Sequence, residues 1–579
     1  MKNSLKLLLF SYLILSINLN AETHLDFPQL QEGEGLIVLV GTNDIHGNFL
    51  ATSSLDKQLG GFDVFSGYLK NIKKNLEKNY KQKYALLILD AGDSFQGTLL
   101  SNFSEGQLGV VLMNELGYTA SLLGNHGFDF GPLGWEQDKC VQNIPCDSLE
   151  AIKAMTDMSR FPFLGTNVFE KIPGKRPDFL KEFTLVNAFG RNIAILGMEN
   201  PLNNRLTIPE NVANLEFTDG IKEIQETVED LFQSSRADIF ILLAHNGDDN
   251  NKKNMGEFLK RLPKRSDGAP LIQAVIAGHT HRHNQNIING IPYIQSGAGG
   301  KYFGIISLVI KTDSQSGQLN LLSQKTQFKA SIPIEYPGNF LSEKVIQDEN
   351  ISSILNKSKE NLNRVAKERI GKTTGELTYK EGRTQDSLVG NWIADVMKSR
   401  TQSDLALINS GDIRDSLPKG EILFEDLFNV IPKNLQLVKV FNVPTQLVLE
   451  SLERSIRSCG IRGALQVSGL KLFFRRNCTN HEGDEDKDAR IVRIKNDKGD
   501  VIYEKGKILI NSLTIATTDF VLAGGAGYSS FVGKKFKKEY FVLRDQLIND
   551  LKIKMILNKD DYLPNRYHNC LKIPLADCD

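Results

Sequence analysis

Seven polar side chains follow apolar runs of this 579-residue chain and could together bind metal ions. Imidazole, carboxylate and amide groups suit borderline divalent ions such as Zn, Mn, Fe or Co. No thiolate accompanies them, which disfavours a purely structural zinc site. Seven ligands are too many for one tetrahedral ion and fit two ions that share a carboxylate, an arrangement that can hold a hydroxide nucleophile against a phosphoryl group. The candidates are Asp44, His46, Asp93, Asn125, His245, His279 and His281.

The stretch LIVLVGTNDIHGN (36–48) indicates a buried strand that ends in Asp44 and His46. In an extended backbone, residues i and i+2 face the same side, so these two side chains can converge at the end of the strand. The alternative is an ordinary strand-to-turn junction in which the aspartate acts as a cap. The rest of the chain favours the metal site, because six of the nine histidines lie between residues 46 and 283.

The elements that would position these groups are short apolar runs that alternate with amphipathic stretches. The runs are LIVLVGT (36–42), YALLILD (84–90), NIAILGM (192–198), DIFILLAH (238–245) and LIQAVIAGH (271–279). This alternation over residues 36 to about 310 predicts a layered α/β domain. Polar residues at the ends of the runs would then lie on loops beside the sheets.

A second domain follows the first. Composition shifts to Ser, Gln and Pro after residue 310, a polar helical pattern occupies about 341–368, and new strand and helix patterns begin near 370. We therefore predict two α/β domains joined by a linker helix. The predicted segments are 1–21 (signal peptide), 33–330 (first domain), 331–369 (linker with helix), 370–557 (second domain) and 558–579 (cysteine-containing tail).

The N-terminal stretch MKNSLKLLLFSYLILSINLNAE indicates an export signal. Lys2 and Lys6 supply positive charge, the apolar core 7–17 is too short for a comfortable membrane span, and Ala21 offers a cleavage point. An uncleaved anchor is the alternative. We predict an exported protein, either periplasmic or extracellular and at the cell surface.

Charge and cysteine content bear on the binding partners and the disulfides of the protein. The chain has 69 basic and 69 acidic residues, so bulk charge does not point to nucleic acid or to anionic membranes. Six cysteines fit disulfides in an exported protein. Neighbours would pair as 140–146, 459–478 and 570–578, although six cysteines allow fifteen arrangements.

Five motifs in a fixed order resemble the calcineurin-like metallophosphoesterases. They are DIHG (44–47), GD (92–93), GNH (124–126), AH (244–245) and GHTH (278–281). The stretches MNELGYTASLLGNHGFDFG and FPFLGTNV extend the resemblance to the first domain of two-domain 5'-nucleotidases, and INSGDIRDSLPKG, LQVSGLKLFF and AGGAGYSSF resemble the second. The resemblance covers nearly the whole chain after the signal peptide. It implies a four-layer α/β/β/α metallophosphoesterase domain and a smaller mixed α/β domain that binds substrate.

The resemblance also implies a role for each candidate. One of the two divalent ions (Zn, Mn, Co or Fe) would be held by Asp44, His46 and His281. The other would be held by Asn125, His245 and His279. Asp93 would bridge the two. His126 would stabilise charge that develops on the phosphate or the leaving group, and Asp129 would orient His126.

The second domain would contact the leaving group of the substrate. The residues that match the family's substrate site are Arg383, Asn409, Arg414, Lys433 and Phe520. Guanidinium groups suit phosphate and ribose oxygens, and the alternative for each arginine is a surface salt bridge. Phe520 would stack on a nucleobase.

Three departures from the family alter the part of the site that recognises the nucleoside. Lys433 stands where the family has a second stacking phenylalanine, Ala526 replaces an aspartate that anchors the ribose, and Asp412 replaces a glycine. The lost stacking face and the lost acceptor would together weaken binding of an ordinary nucleoside by about one to three orders of magnitude. Lys433 could instead favour a more negatively charged leaving group, or lie over the base.

We therefore expect an exported dimetal phosphohydrolase of the 5'-nucleotidase type. It would hydrolyse small phosphate monoesters, nucleoside 5'-phosphates first, by in-line attack of a metal-bound hydroxide, with His126 and Asp129 stabilising the transition state. No nucleic acid polymer and no membrane span after signal cleavage are expected. The alternatives are a related hydrolase of non-nucleoside or cyclic-nucleotide esters and a non-catalytic exported binding protein.

Overall fold

A computed structural model describes nine segments of the chain. They are residues 26–54, 56–132, 147–209, 211–248, 254–380, 382–433, 435–460, 463–479 and 485–571. The predicted signal peptide and Cys140, Cys146 and Cys578 lie outside the described residues. Among the residues that the structure describes, no helix is both long and apolar enough to cross a bilayer.

Residues 34–366 contain nineteen described strands and eight described α-helices. The strands are β1 (Glu34–Thr42), β2 (Thr52–Ser54), β3 (Lys57–Leu59), β4 (Tyr84–Asp90), β5 (Ala120–Ser121), β6 (Val168–Glu170), β7 (Phe183–Ala188), β8 (Arg191–Met198), β9 (Leu215–Phe217), β10 (Ile239–Ala244), β11 (Ala274–Ala277), β12 (His283–Ile288), β13 (Ile291–Ser296), β14 (Tyr302–Thr312), β15 (Leu319–Leu321), β16 (Gln327–Pro333), β17 (Glu335–Tyr336), β18 (Asn339–Phe340) and β19 (Glu343–Lys344). The helices are α1 (Phe62–Tyr80), α2 (Leu99–Asn102), α3 (Gln107–Leu116), α4 (Glu150–Met158), α5 (Asn203–Leu206), α6 (Ile221–Gln233), α7 (Asn254–Arg261) and α8 (Glu349–Ala366).

Residues 369–569 contain thirteen described strands and five described α-helices. The strands are β20 (Arg369–Thr373), β21 (Leu405–Asn409), β22 (Gly420–Leu423), β23 (Gln436–Pro444), β24 (Leu465–Ser468), β25 (Leu470–Arg475), β26 (Arg490–Asn496), β27 (Val501–Glu504), β28 (Lys507–Ile508), β29 (Ser512–Thr518), β30 (Lys538–Val542), β31 (Ile556–Leu557) and β32 (Tyr567–Asn569). The helices are α9 (Leu388–Thr401), α10 (Phe424–Val430), α11 (Thr445–Arg457), α12 (Asp519–Leu522) and α13 (Leu543–Lys554).

Two six-stranded sheets pack face to face in the first domain. One has the order β15-β14-β1-β4-β5, with β16 paired to β14, and the other has the order β12-β13-β11-β10-β8-β7. Ile37 of β1 and Ile241 of β10 lie in the core between the sheets, while Val38 and Leu242 pack toward the outer helical layers. Strands buried on both faces need apolar residues at consecutive positions, as these runs have. The predicted four-layer α/β/β/α architecture is confirmed.

Parallel strands bring the predicted ligands to one edge of this sandwich. β1, β4 and β5 run parallel in the first sheet, as do β8, β10, β11 and β13 in the second, so their carboxyl ends share an edge. The loops after β1, β4, β5, β10 and β11 carry the seven predicted ligands. The scattered motifs therefore meet because the sheets place their loops together.

The second domain is a smaller mixed α/β unit. Its main sheets have the orders β24-β21-β29-β23-β30 and β28-β27-β26-β25-β32. Helix α8 joins the two domains: Ile351 and Leu355 pack in the core of the first domain, and Leu362 and Ala366 pack in that of the second. The segment predicted as a tail contributes β32, which pairs with β25. The exact domain boundaries remain predictions.

One predicted disulfide lies wholly within the described residues. Of a second, only one of the two cysteines does. Cys459 and Cys478 are bonded, as predicted. Cys570 is also disulfide-bonded, and its predicted partner lies outside the described residues. The 459–478 bond links the segment after α11 to the segment after β25.

Candidate metal centre and the facing substrate pocket

The first ligand cluster consists of Asp44, His46 and His281. One ligand atom from each lies within 4.8 Å of the other two. The Nε2 atoms of His46 and His281 are 3.0 Å apart, and His281 Nε2 lies 3.5 Å from Asp44 Oδ1. A carboxylate with two imidazoles is a ligand set for a borderline divalent ion.

The second cluster consists of Asp93, His245 and His279, with Asn125 beside them. Ligand atoms of the three titratable residues again lie within 4.8 Å of one another. Asp93 Oδ2 is 3.0 Å from His245 Nε2, and Asn125 Oδ1 is 3.0 Å from His279 Nδ1. The Asn125 amide donates to the carbonyl of Leu206, which leaves its side-chain oxygen directed at the cluster. All seven predicted ligands are thus brought into two adjacent groups.

The Nδ1 contacts of two histidines leave Nε2 as the nitrogen that can bind a metal. Nδ1 of His245 lies 2.7 Å from the carbonyl of Ala91, and Nδ1 of His46 lies 3.0 Å from that of Gln96. A carbonyl only accepts, so Nδ1 carries the hydrogen and Nε2 keeps its lone pair. His245 Nε2 is buried and lies 3.0 Å from Asp93 Oδ2. A buried imidazole nitrogen this close to a carboxylate, with its other nitrogen fixed by a carbonyl, fits a metal ligand set.

The electrostatics of the clusters favour a cation between them. Burial lowers the pKa of His46 and His279 to about 3 and that of His281 to about 4, so these rings are neutral, as metal ligands must be. Burial also lowers the pKa of His245, but Asp93, Asp44 and Glu199 raise it to about 10. The carboxylates therefore favour a positive charge at this place, and divalent ions would supply it in place of the His245 proton.

The backbone at the ligands differs from the predicted extended strand. β1 ends at Thr42, and Asp44 and His46 have left-handed φ angles of 51° and 52°. The two side chains do converge, but through a left-handed turn, so the prediction that strand alternation brings them together was wrong. Asp93, His279 and His281 also have positive φ, at 56°, 86° and 57°. Such costly conformations cluster at functional sites.

His126 and Asp129 form a hydrogen-bonded pair at the edge of the second cluster. His126 Nδ1 lies 2.6 Å from Asp129 Oδ2, and the His126 backbone N–H donates to Asp93 Oδ1 at 2.8 Å. Thr207 Oγ1 donates to the other Asp129 oxygen at 2.7 Å. Burial raises the pKa of Asp129, but His126, Lys433 and Thr207 lower it below its usual range. Asp129 therefore stays ionised and orients the imidazole.

Sequence analysis missed several residues that support the site. Glu199 accepts the backbone N–H groups of Leu123 and Gly124 and holds the loop before Asn125. Asn43 donates to Asp44 Oδ2 at 2.7 Å. Glu199 directly follows β8, so a search for polar residues at the ends of apolar runs, which located the ligands, could also have found Glu199. Thr207 follows α5, and no sequence signal marks it.

The second domain presents a buried polar group to this centre. Lys433 Nζ lies 3.3 Å from Asp412 Oδ1 and 4.8 Å from the ring centroid of Phe520. The Asn409 amide donates to the other oxygen of Asp412 at 3.4 Å. The four side chains thus form one cluster, which we call the lysine pocket: Asn409, Asp412, Lys433 and Phe520.

Both predicted arginines of the second domain are exposed. Arg414 is exposed, and its charge is near enough to His281 to contribute to lowering the pKa of that ring, after burial and the charges of other residues. Arg383 is exposed, and its carbonyl accepts the backbone N–H of Ala464. The domains touch beside the pocket, where Asn102 donates to the carbonyl of Pro432 at 3.0 Å. The substrate roles of the two arginines remain predictions.

Comparison with known proteins identifies both halves of the chain. Residues 37–283 match the calcineurin-like phosphoesterase model, and residues 369–533 match the model of the 5'-nucleotidase C-terminal domain. The first range contains both ligand clusters, and the second contains the lysine pocket. The chain belongs to the two-domain 5'-nucleotidase family. Its class is that of the metal-dependent phosphoesterases, whose calcineurin-like members use two divalent metals.

The curated proteins that this chain resembles are distant relatives, about a quarter identical in sequence. The chain is 26% identical to endonuclease YhcR of Bacillus subtilis over 411 residues, covering 69% of this chain and 31% of the relative. It is 26% identical to the snake venom 5'-nucleotidase of Crotalus adamanteus over 470 residues, covering 76% and 73%. The chain therefore spans about a third of the first relative and about three quarters of the second. The crystal structure of a 5'-nucleotidase precursor from Thermus thermophilus superimposes with a TM-score of 0.65 at 21% identity, covering 93% of this chain and all of that one, which shows a common fold.

Proposed function

We propose that this member of the 5'-nucleotidase family is an exported phosphohydrolase that cleaves small phosphate monoesters, with nucleoside 5'-phosphates as the first substrates to test. The observation that carries the proposal is that the two metal-ligand clusters meet beside the His126–Asp129 pair. Phosphate esters are the substrates for which paired metals and a nearby imidazole are suited.

Each group has a distinct task in this proposal. Asp44, His46 and His281 would hold one ion, and Asn125, His245 and His279 would hold the other, with Asp93 shared between them. Two bound divalent ions would supply activation of a water molecule and neutralisation of phosphoryl charge. His126, held by Asp129, would donate a hydrogen bond to a phosphoryl oxygen or to the leaving oxygen as negative charge develops there. The geometry of Asp129 and Thr207 keeps that imidazole in place before substrate arrives.

Export is supported by two observations besides the N-terminal sequence. The Cys459–Cys478 disulfide is typical of proteins that fold outside the cytosol. The relative from Crotalus adamanteus is by its name a venom protein.

The test of the proposed function is hydrolysis of a panel of nucleotides and a generic aryl phosphate before and after exhaustive chelation. Release of phosphate that disappears with the metal and returns on adding Mn, Zn or Co supports the proposal. Activity that survives complete metal removal contradicts it.

A second candidate is a related hydrolase whose ester lacks a nucleoside, or whose substrate is a cyclic nucleotide. The observation that favours it is the position of Lys433 over the ring of Phe520. A product screen separates the two: released phosphate reports cleavage of sugar phosphates and nucleotides, and chromatography detects the nucleoside monophosphate that hydrolysis of a cyclic nucleotide yields. A purely binding role, the third possibility, is opposed by the survival of all seven ligand types together with the His126–Asp129 pair.

A further inference from the structure

We propose that the Lys433–Asp412 ion pair covers the aromatic surface on which a nucleobase would stack, so that this enzyme selects substrates by their phosphate and sugar and is indifferent to the base. The proposal rests on the proposed phosphomonoesterase function and names the part of the substrate that its site recognises. It is drawn from the contacts that surround Phe520.

Phe520 offers little free surface for stacking. Only 6% of the residue is exposed, and the Lys433 ammonium lies 4.8 Å from its ring centroid. Gly525 also packs over the ring, because a Cβ at that position would come within 2.5–2.6 Å of three ring carbons. A base needs an open π-face of about its own size to gain stacking energy. Such a face is not available here while Lys433 keeps its place.

Lys433 and Asp412 act as one unit. Their charged atoms are 3.3 Å apart, and their side chains are 7% and 1% exposed. Removal of either partner would leave the other buried and uncompensated, which is far more costly than removal of both. Arg544 fixes the loop, since its guanidinium donates to the carbonyls of Ile431 and Lys433 at 3.0 and 3.2 Å. Lys433 therefore does not belong to a freely moving surface loop.

The pair lies within electrostatic reach of Asp129, the hydrogen-bond partner of His126. Lys433 is close enough to Asp129 to stabilise its charged form, and Asn102 of the first domain holds the adjacent carbonyl of Pro432. The side-chain oxygen of Asn409 is buried without a hydrogen-bond partner among the described residues. A cation suits phosphate oxygens and an unpaired amide oxygen suits a sugar hydroxyl, and neither group offers a base a surface on which to stack.

The decisive comparison is between a nucleoside 5'-monophosphate and ribose 5-phosphate, which differ only in the base. We expect the wild-type enzyme to hydrolyse both with kcat/KM values within about threefold of each other, and to show the same value for purine and pyrimidine nucleotides. In the double variant Lys433→Phe/Asp412→Gly, preference for the nucleotide should rise between about twofold and tenfold, the gain expected from one aromatic pair. A wild-type preference for nucleotides above about thirtyfold, or an unchanged ratio in the double variant, would overturn the proposal.

Binding of free adenosine gives a second readout that does not depend on catalysis. Calorimetry should show tighter adenosine binding to the double variant than to the wild type by a similar factor. If neither phosphate ester is hydrolysed, the proposed function fails, and the adenosine measurement still decides about the pocket. The matched control is Lys439→Met, because Lys439 also lies over a phenylalanine, 4.9 Å from the ring centroid of Phe441, but outside the lysine pocket. Its substrate ratio should equal that of the wild type.

Discussion

Nδ1 of His126 lies 2.6 Å from Oδ2 of Asp129, while the backbone N–H of the same histidine is bonded to Asp93. One short segment therefore joins a predicted metal ligand to a group that can act on the substrate. The imidazole is fixed through its Nδ1 atom and through the backbone of its own residue, so Nε2 is the ring atom that can meet a phosphate ester. His126 thus links the metal centre to the place where charge would develop in the transition state.

The first prediction concerns His126 itself. His126→Ala should lower kcat by roughly 10²–10⁴-fold, because a positioned acid or charge stabiliser contributes about that much. Asp129→Asn should lower kcat less, since the ring remains but loses its charged partner. Neither residue is a predicted ligand, so metal content should be unchanged in both variants. A variant with wild-type kcat, or one that fails only through loss of metal, would contradict the assigned role.

The second prediction concerns Thr207, whose hydroxyl is the donor to the other oxygen of Asp129. Thr207→Val keeps the shape and leaves a buried carboxylate oxygen without that bond, so kcat should fall by about tenfold with KM little changed. Thr227→Val is the matched control, because Thr227 donates to Glu182 at 2.6 Å from the outer helix α6. Steady-state kinetics should show no loss for the control. Equal losses in both variants would indicate a general effect on stability instead.

The strands and the ligand side chains of the site were predicted correctly from the sequence, whereas the backbone conformation at the ligands was not. LIVLVGT and the other apolar runs became strands, and the side chains that follow them became the two ligand clusters, because parallel strands must end at a common edge. The left-handed conformation of Asp44 and His46 was not foreseen. Positive φ is marked in a sequence by glycine, and non-glycine residues held there by tertiary contacts carry no such mark.

The lysine pocket shows a second limit of sequence interpretation. Lys433 was predicted to lie in the substrate site, but its contacts depend on Asp412, which is 21 positions earlier in the chain and was considered separately. Only the structure shows that two departures from the family meet as one ion pair. The segment from 558 was predicted as a tail because its run Tyr567–Asn569 is too short to indicate a strand without its partner β25.

The third prediction concerns Asp348, which caps α8 and joins it to α1. Its carboxylate accepts backbone N–H groups of Asn350 and Ile351, and also binds Ser66 and Lys70. Burial raises the pKa of Asp348, but Lys70 and the other donors lower it from 3.8 to about 2. A lowered pKa means that the carboxylate stabilises the fold above about pH 4 and that this stabilisation is lost as the pH falls through about 2.

Asp348→Ala should therefore lower the free energy of unfolding by about 1–2 kcal/mol at pH 7, the usual cost of losing an N-cap. The difference from the wild type should shrink as the pH falls from about 4 toward 2. Urea unfolding at several pH values measures this difference. A deficit that stays constant across that range would show that the charge of Asp348 is not what stabilises the junction.

The fourth prediction concerns Ala526, which has a left-handed φ of 50° at the turn beside α5. Aspartate adopts this conformation more readily than alanine. Ala526→Asp should be tolerated, and its carboxylate should lower the KM for ribose-containing esters, by up to about tenfold if it reaches a sugar hydroxyl. An aryl phosphate without a sugar is the control substrate. A KM that falls equally for both esters would show that the added carboxylate does not act through the ribose.

The proposed function depends above all on seven side chains that would hold two divalent ions, with Asp93 shared between the ions. Equilibrium dialysis against Mn or Zn, followed by elemental analysis, counts the ions directly and requires no substrate. We predict two ions per wild-type chain, about one for His281→Ala, fewer than two for Asp93→Asn, and two for the neighbouring control His283→Ala. A wild-type chain that binds one ion or none, or an Asp93→Asn chain that still binds two, would contradict the proposed dimetal centre.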